Sequence, residues 1–337
     1  MYSTLSNTKP SYTEYLVNLA DISLGARILV CSDEFFGDCK RMLNPEPPKF
    51  VPGLYDKHGK WMDGWETRRR RGGGHDWCVI RLALPGNISG IEVDTRYFTG
   101  NSPIGVMVEG ALLSSESEPD ENTIWYPLTN MAQIKGDDRL FITLNETKSC
   151  SHVRLHIYPD GGIARLRLFG TVCLSKDISP GCEIDLIALH NGGRVISWSD
   201  AHYGHPQNLL RPGKGKNMGD GWETRRRREP GNDWCIISLG YSGTLNRIEV
   251  DTAYFIGNYP ASFSIQAAHL DVDVVVDVIK TSSMFWEYLL PEQMLNADEV
   301  HFFEEQVIDL GLVTHLRFNI IPDGGVSRLR AFGNVVS

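Results

Sequence analysis

One block of residues occurs twice, and that repetition limits the chain to architectures built from two related units. The first copy runs Asp63-Gly64-Trp65-Glu66-Thr67-Arg68-Arg69-Arg70-Arg71 and, after a glycine run, His75-Asp76-Trp77-Cys78. The second runs Asp220-Gly221-Trp222-Glu223-Thr224-Arg225-Arg226-Arg227-Arg228, then Gly231-Asn232-Asp233-Trp234-Cys235. Asp63 and Asp220 are 157 positions apart, as are Asp76 and Asp233, so the spacing inside the block is kept. Chance does not align two Trp and four consecutive Arg in this way. The chain is an internal duplication.

The echo extends beyond the block. Leu24-Gly25-Ala26-Arg27-Ile28-Leu29-Val30-Cys31-Ser32-Asp33 matches Asn191-Gly192-Gly193-Arg194-Val195-Ile196-Ser197-Trp198-Ser199-Asp200, each a short strand ending in a Ser-Asp turn. A Pro-rich connection from Asn44 to Lys60 is longer than its counterpart near Arg211-Pro212-Gly213, as suits a surface loop. Val79-Ile80-Arg81-Leu82 reads as a strand followed by a Gly-Asn turn. Ile91-Glu92-Val93-Asp94-Thr95, echoed by Ile248 to Thr252, alternates like a half-buried strand. Tyr158-Pro159-Asp160-Gly161-Gly162, echoed by Pro322-Asp323-Gly324-Gly325, reads as a tight strand-to-strand turn, because Gly tolerates positive φ and Pro presets its own φ. Glu292-Gln293-Met294-Leu295 is expected as a helical turn. Many short strands with Gly, Pro and Asn turns point to an all-β chain with one β-sandwich per unit. The expected division is a loose tail over 1–13, a first repeat over 14–173, a linker over 174–182 and a second repeat over 183–337.

At 337 residues each half is large enough to bury its own core. The net charge of −9 argues against a nucleic-acid partner despite the Arg runs, since such binding rests on neutralising phosphates. No apolar run is long enough to suggest a membrane span, and the first ten residues lack the apolar core of a secretory signal. Seven cysteines without CxxC spacing fit a reducing compartment, so a cytoplasmic location is expected. Cys78 and Cys235 read as buried small hydrophobes.

Four guanidinium groups need partners, and Glu66, Asp76, Asp94 and Asp160 are candidate counter-charges. In an extended segment Arg68 and Arg70 would share a side with Glu66, and Arg69 and Arg71 one with Trp65 and Thr67. An ion-pair network and the bidentate capture of a small carboxylate are both open for these arginines. His75, beside Asp76, has the makings of a general acid/base or a metal ligand, against ordinary loop variation. Its counterpart Asn232 does not titrate near neutral pH. His156 is replaced by Asn319 and His202 stands for Phe35, each read first as a core or surface residue. Asn101 and Asn258, like Asp94 and Asp251, sit at strand ends, where capping hydrogen bonds explain them equally well. Standard hydrolase, phosphate-loop and zinc signatures are absent.

Taken together, residues 24–37, 63–71, 75–78, 91–101 and 159–162, with their echoes, resemble the allantoicase family over almost the whole chain. The resemblance implies tandem galactose-binding-like jelly rolls, a homo-oligomer, and cleavage of allantoate to (S)-ureidoglycolate and urea. For that reaction Glu66, His75 and Asp76 are the expected acid/base residues. Arg68, Arg70, Asp94, Asn101, Asp160 and Arg165 are expected to bind substrate, with Glu223, Arg225, Arg227, Asp251 and Asn258 as second-repeat counterparts. No cofactor is expected, and a divalent metal is left open. The chain departs from its own pattern where Gly73-Gly74-His75 becomes Pro230-Gly231-Asn232, so whether one repeat, both, or a composite of the two acts is open. A competing class is a non-catalytic tandem sandwich that binds sugars or a partner; it predicts exposed stacking aromatics and no turnover.

Overall fold

A computed structural model describes residues 3–114, 117–146, 149–173, 181–271 and 274–336. The chain divides into two compact units, Met1–Cys173 and Leu174–Ser337, each a jelly-roll β-sandwich. Most of the expected linker over 174–182 lies outside the described residues.

The principal strands of the first unit are β1 (Ser3–Ser6), β2 (Arg27–Cys31), β3 (Asp76–Asp94), β4 (Gly105–Ala111), β5 (Arg139–Leu144), β6 (Ser149–Tyr158) and β7 (Arg165–Val172). The two layers share β3. Its first half pairs with β2 (Cys31↔Cys78) and β6 (Ile157↔Asp76), and its second half with β5 and β7 (Arg139↔Asp94, Arg165↔Asp94). The expected Gly-Asn turn is instead a corner inside one 19-residue strand. Gly86 allows it, because a Cβ there would meet Leu19 Cδ1 and Thr171 O at 2.6 Å. A strand that crosses between layers in this way closes the sandwich. β4 lies on the outer edge of β6, with Arg154↔Glu109 and His156↔Met107 in register.

Alternation along β6 sends Val153, Leu155 and Ile157 into the core, all with no exposed surface. Each contributes roughly 1.5–3 kcal/mol of burial. Arg154 and His156 are left on the opposite face, which is the face that matters for chemistry.

The second unit repeats the plan with β8 (Glu183–Asp185), β9 (Arg194–Trp198), β10 (Asp233–Asp251), β11 (Ser262–Ala268), β12 (Glu287–Met294), β13 (Val300–Phe303), β14 (Val313–Ile321) and β15 (Arg328–Val335). β10 is again 19 residues long and pairs β9 and β14 with its first half, β13 and β15 with its second.

Three sequence expectations change. Ser3–Ser6, expected within a loose tail, pairs with β5 from Ser3↔Leu144 to Ser6↔Phe141. Backbone pairing to an open edge needs no apolar side chains, so polarity hid it. Glu292–Met294, expected as helical, continues β12 with Phe263↔Gln293 in register; pairing overrides helix-favouring side chains. Residues 91–95 are buried on both faces rather than half-buried, since Glu92 is covered and ion-paired by Arg139 (2.8 Å) and Arg167 (3.2 Å).

Candidate active site

The Pro-Asp-Gly-Gly turn after β6 organises one end of the first sandwich. Gly161 N donates to Thr67 Oγ1 (3.0 Å), Arg70 N to Asp160 Oδ2 (2.8 Å), Gly162 N to Asn101 O (2.7 Å) and Asp76 N to Pro159 O (3.1 Å). Gly162 is required: a Cβ there would lie 2.0 Å from the Phe98 ring. The arginine segment is thereby held against the start of β3.

Only Trp65–Glu66 of this segment is a strand, so the expected alternation of Arg68 to Arg71 does not occur. Arg68 turns to Asp33, with Nε–Oδ1 at 2.9 Å, Nη2–Oδ1 at 2.7 Å and its own N–H on Oδ2 at 2.6 Å. Arg70 turns inward and pairs with buried Asp76, which also accepts from Ser32 Oγ (2.9 Å). Arg70 Nε–H is buried without an acceptor, and Arg69 and Arg71 are exposed and carry no ion pair among the described residues.

Several expected site residues are thereby committed elsewhere. Arg165 is fully buried and clamps the Pro-rich loop, donating to Glu46 O (2.7 Å), Asp63 O (2.8 Å) and Asp63 Oδ2 (2.6 Å). Asp94, also fully buried, is paired with Arg96 (2.6 Å) rather than with the arginine segment. Asp76 holds Arg70 and Ser32 through its Oδ1. Asp160 caps the Arg70 amide. Glu66 accepts from Asn101 Nδ2 (2.6 Å), and burial, only partly offset by that bond, holds its carboxyl above the usual range. Asp33 is the counter-charge that sequence reasoning did not single out.

Nearly all of this is repeated in the second unit. Thr224, Arg227 and Asp323 hold the second turn, with Arg227 N on Asp323 Oδ2 at 2.8 Å. Arg227 pairs with Asp233 (3.1 Å), Ser199 Oγ donates to Asp233 (2.9 Å), and Arg225 N donates to Asp200 (2.9 Å). Asn258 Nδ2 donates to Glu223 Oε1 (2.7 Å). Asp251 accepts from Ala253 N (2.7 Å) and, like Asp94, is buried. What recurs in both copies is framework.

One constellation is not repeated. His75 Nε2 lies 2.8 Å from His156 Nδ1, and His156 Nε2 lies 2.8 Å from Glu109 Oε2. Arg154, stacked over Trp125 at 4.6 Å, donates to the same oxygen at 2.8 and 2.6 Å. Burial works to raise the Glu109 carboxyl, but hydrogen bonds from His156 and Arg154 outweigh it and hold it below the usual range. Burial pushes His156 below its ordinary value, against the raising effect of Glu109. An ionised Glu109 therefore accepts a hydrogen bond from the single N–H of neutral His156, at Nε2. Nδ1 of His156 must then accept from His75 Nε2–H, which leaves His75 Nδ1 as a lone pair. His75 stacks on Tyr158 at 4.3 Å, and its Nδ1 has no partner among the described residues. The hydrogen-bond chain behind that nitrogen ends on a carboxylate.

In the second unit each titrating member becomes an amide. Asn232 Nδ2 donates to Asn319 Oδ1 (3.4 Å), and Asn319 Nδ2 donates to Gln266 Oε1 (3.1 Å). The chain of contacts is kept and its titratable groups are lost. Glu109 and Arg154 were missed in the sequence, and His156 was read as a core or surface residue.

Among the described residues no group of three or more His, Cys, Asp or Glu is arranged to hold a metal ion.

Comparison with known proteins gives one consistent result. A family model described as the allantoicase repeat matches residues 17–173 and again 184–336. The chain is 49% identical over 327 residues to "Probable allantoicase 1" of Burkholderia mallei, covering 97% of this chain and 96% of that protein. It is 47% identical over 330 residues to "Probable allantoicase" of Acinetobacter baylyi, covering 97% of each. Among solved structures, the allantoicase of Saccharomyces cerevisiae superposes with a TM-score of 0.76 at 32% identity, over 94% of this chain and 92% of that one.

Proposed function

The chain belongs to the allantoicase family, and from that premise we propose which of its residues carry the family's reaction. The activity is hydrolysis of allantoate to (S)-ureidoglycolate and urea, a step of purine degradation. Allantoate carries a carboxylate and two ureido arms on one carbon. Water's oxygen must bond to that carbon, one C–N bond must break, and the departing urea nitrogen must gain the proton that water gives up.

The first repeat carries this chemistry. Exposed Arg69 and Arg71, with the free edge of Arg68, hold the carboxylate; Arg70 is fixed by Asp76 and Asp160 and shapes the loop. His75 Nδ1 takes the proton from water, and His156 and Glu109 stabilise the resulting imidazolium. The same imidazolium returns the proton to the leaving nitrogen, so the step balances without another reactant. Glu66, whose carboxyl burial makes easier to protonate, is the second candidate donor, and Asn101 orients it. The observation that carries this reading is the His75–His156–Glu109 relay, present in one copy and turned to amides in the other.

The test is urea release from allantoate by the purified chain. His75→Ala should lower kcat by roughly 10²–10⁴-fold, with partial rescue by added imidazole. Full activity in that variant would remove His75 from the mechanism. Activity lost with a chelator and restored by a divalent metal would instead make His75 a ligand.

The expected homo-oligomer and cytoplasmic location also stand as proposals. Exposed Tyr288 and Met294 on edge strand β12, with Phe285 just before it, support a self-association surface. All seven cysteines are free, which supports a reducing compartment. No helix of the described residues is long and apolar enough to cross a membrane.

A further inference from the structure

The second repeat has lost the relay but kept its arginines, and these line a cavity of about 300 Å³. Arg225 to Arg228 form its wall with Ser199, Asp200, Glu229 and Asp233. Two of the acids are already engaged by the framework: Asp233 by Arg227 and Ser199, Asp200 by the Arg225 amide. Arg226 and Arg228 carry no ion pair among the described residues, and Arg227 Nε–H is buried in the wall without an acceptor. Four guanidinium groups against three carboxylates leave the cavity one positive charge. That balance suits a singly charged anion better than a phosphate dianion, and the volume is at the small end of the roughly 300–1,000 Å³ typical of ligand sites. Forked donors without acceptors match a carboxylate in geometry.

We propose that this cavity is a second, non-catalytic binding site for a small ureido-carboxylate, the class to which the substrate and its organic-acid product both belong. The proposal rests on the reading of the first repeat as the seat of turnover. With Asn232, Asn319 and Gln266 in place of His75, His156 and Glu109, a ligand held there meets no histidine relay and leaves unchanged. The duplication has thus separated one ancestral plan into a site that converts its ligand and a site that only holds it.

The test is calorimetric titration of the full chain with N-carbamoylglycine, which has one carboxylate and a single ureido arm. The parent should show two binding events per chain. Arg226→Gln/Arg228→Gln, both exposed positions, should remove one event, and Arg69→Gln/Arg71→Gln should remove the other. An Arg226→Gln/Arg228→Gln variant that binds as many equivalents as the parent, with unchanged affinity, overturns the proposal. Urea release from allantoate is read separately: its absence would sink the catalytic reading, while an unchanged count of binding events sinks only this one.

Discussion

At the scale of single residues, three paired exchanges separate the copies: His75 with Asn232, His156 with Asn319, and Glu109 with Gln266. Because Asn319 bridges its neighbours as His156 does, His156→Asn should fold normally yet lose roughly 10²–10⁴-fold in kcat; steady-state urea release beside a thermal melt checks this. Glu109→Gln removes the carboxylate that favours a protonated relay. The relay then holds its extra proton less tightly, so the acid limb of kcat/KM should move to lower pH while kcat falls; a pH–rate profile reads both. A stability prediction concerns Asp185, whose carboxyl is pushed up to about 6 by burial, ahead of the lowering effects of the Ala331 amide and Arg330. Its charged form is disfavoured in the folded chain, so stability declines as pH rises through about 4 to 6. Asn18, its counterpart, accepts from Leu168 N at 3.0 Å without a charge. Asp185→Asn should therefore stabilise by on the order of 1–2 kcal/mol at pH 8 and little near pH 4, measured by guanidinium unfolding. The His75 exchange was legible in the sequence because it falls inside the repeated block. The Glu109 exchange was not, since it recurs at a different spacing from His156 and only strand register brings the two together.

Turns and strands divide similarly into legible and hidden. The Pro-Asp-Gly-Gly turns were readable from residue chemistry alone, and they hold the arginine segment as expected of tight, fixed backbone. Gly162→Ala should displace the Phe98 ring, destabilising the first unit by about 1–3 kcal/mol and lowering activity with it; unfolding midpoints beside urea release check this. The long strand β3 was read as two strands and a turn, because Pro85-Gly86-Asn87 has turn chemistry and only packing against Leu19 and Thr171 shows a corner instead. The role of Arg165 as a clamp was hidden for a related reason, since the backbone carbonyls it holds belong to a loop distant in sequence.

Across the whole molecule, the constant spacing between the Arg blocks revealed the duplication and hence two sandwiches. The ion pairs of the arginine segments recur in both copies, where they hold the loop. The proposed relay lies in what the copies do not share. The central claim is that the first repeat alone carries the acid/base relay, and converting it to the second repeat's residues tests this most directly. The measurement is kcat for urea release by His75→Asn/His156→Asn/Glu109→Gln, with circular dichroism to verify the fold. A folded protein with kcat reduced at least roughly 10²-fold is the predicted result. A folded triple variant that releases urea at the parent rate would contradict it.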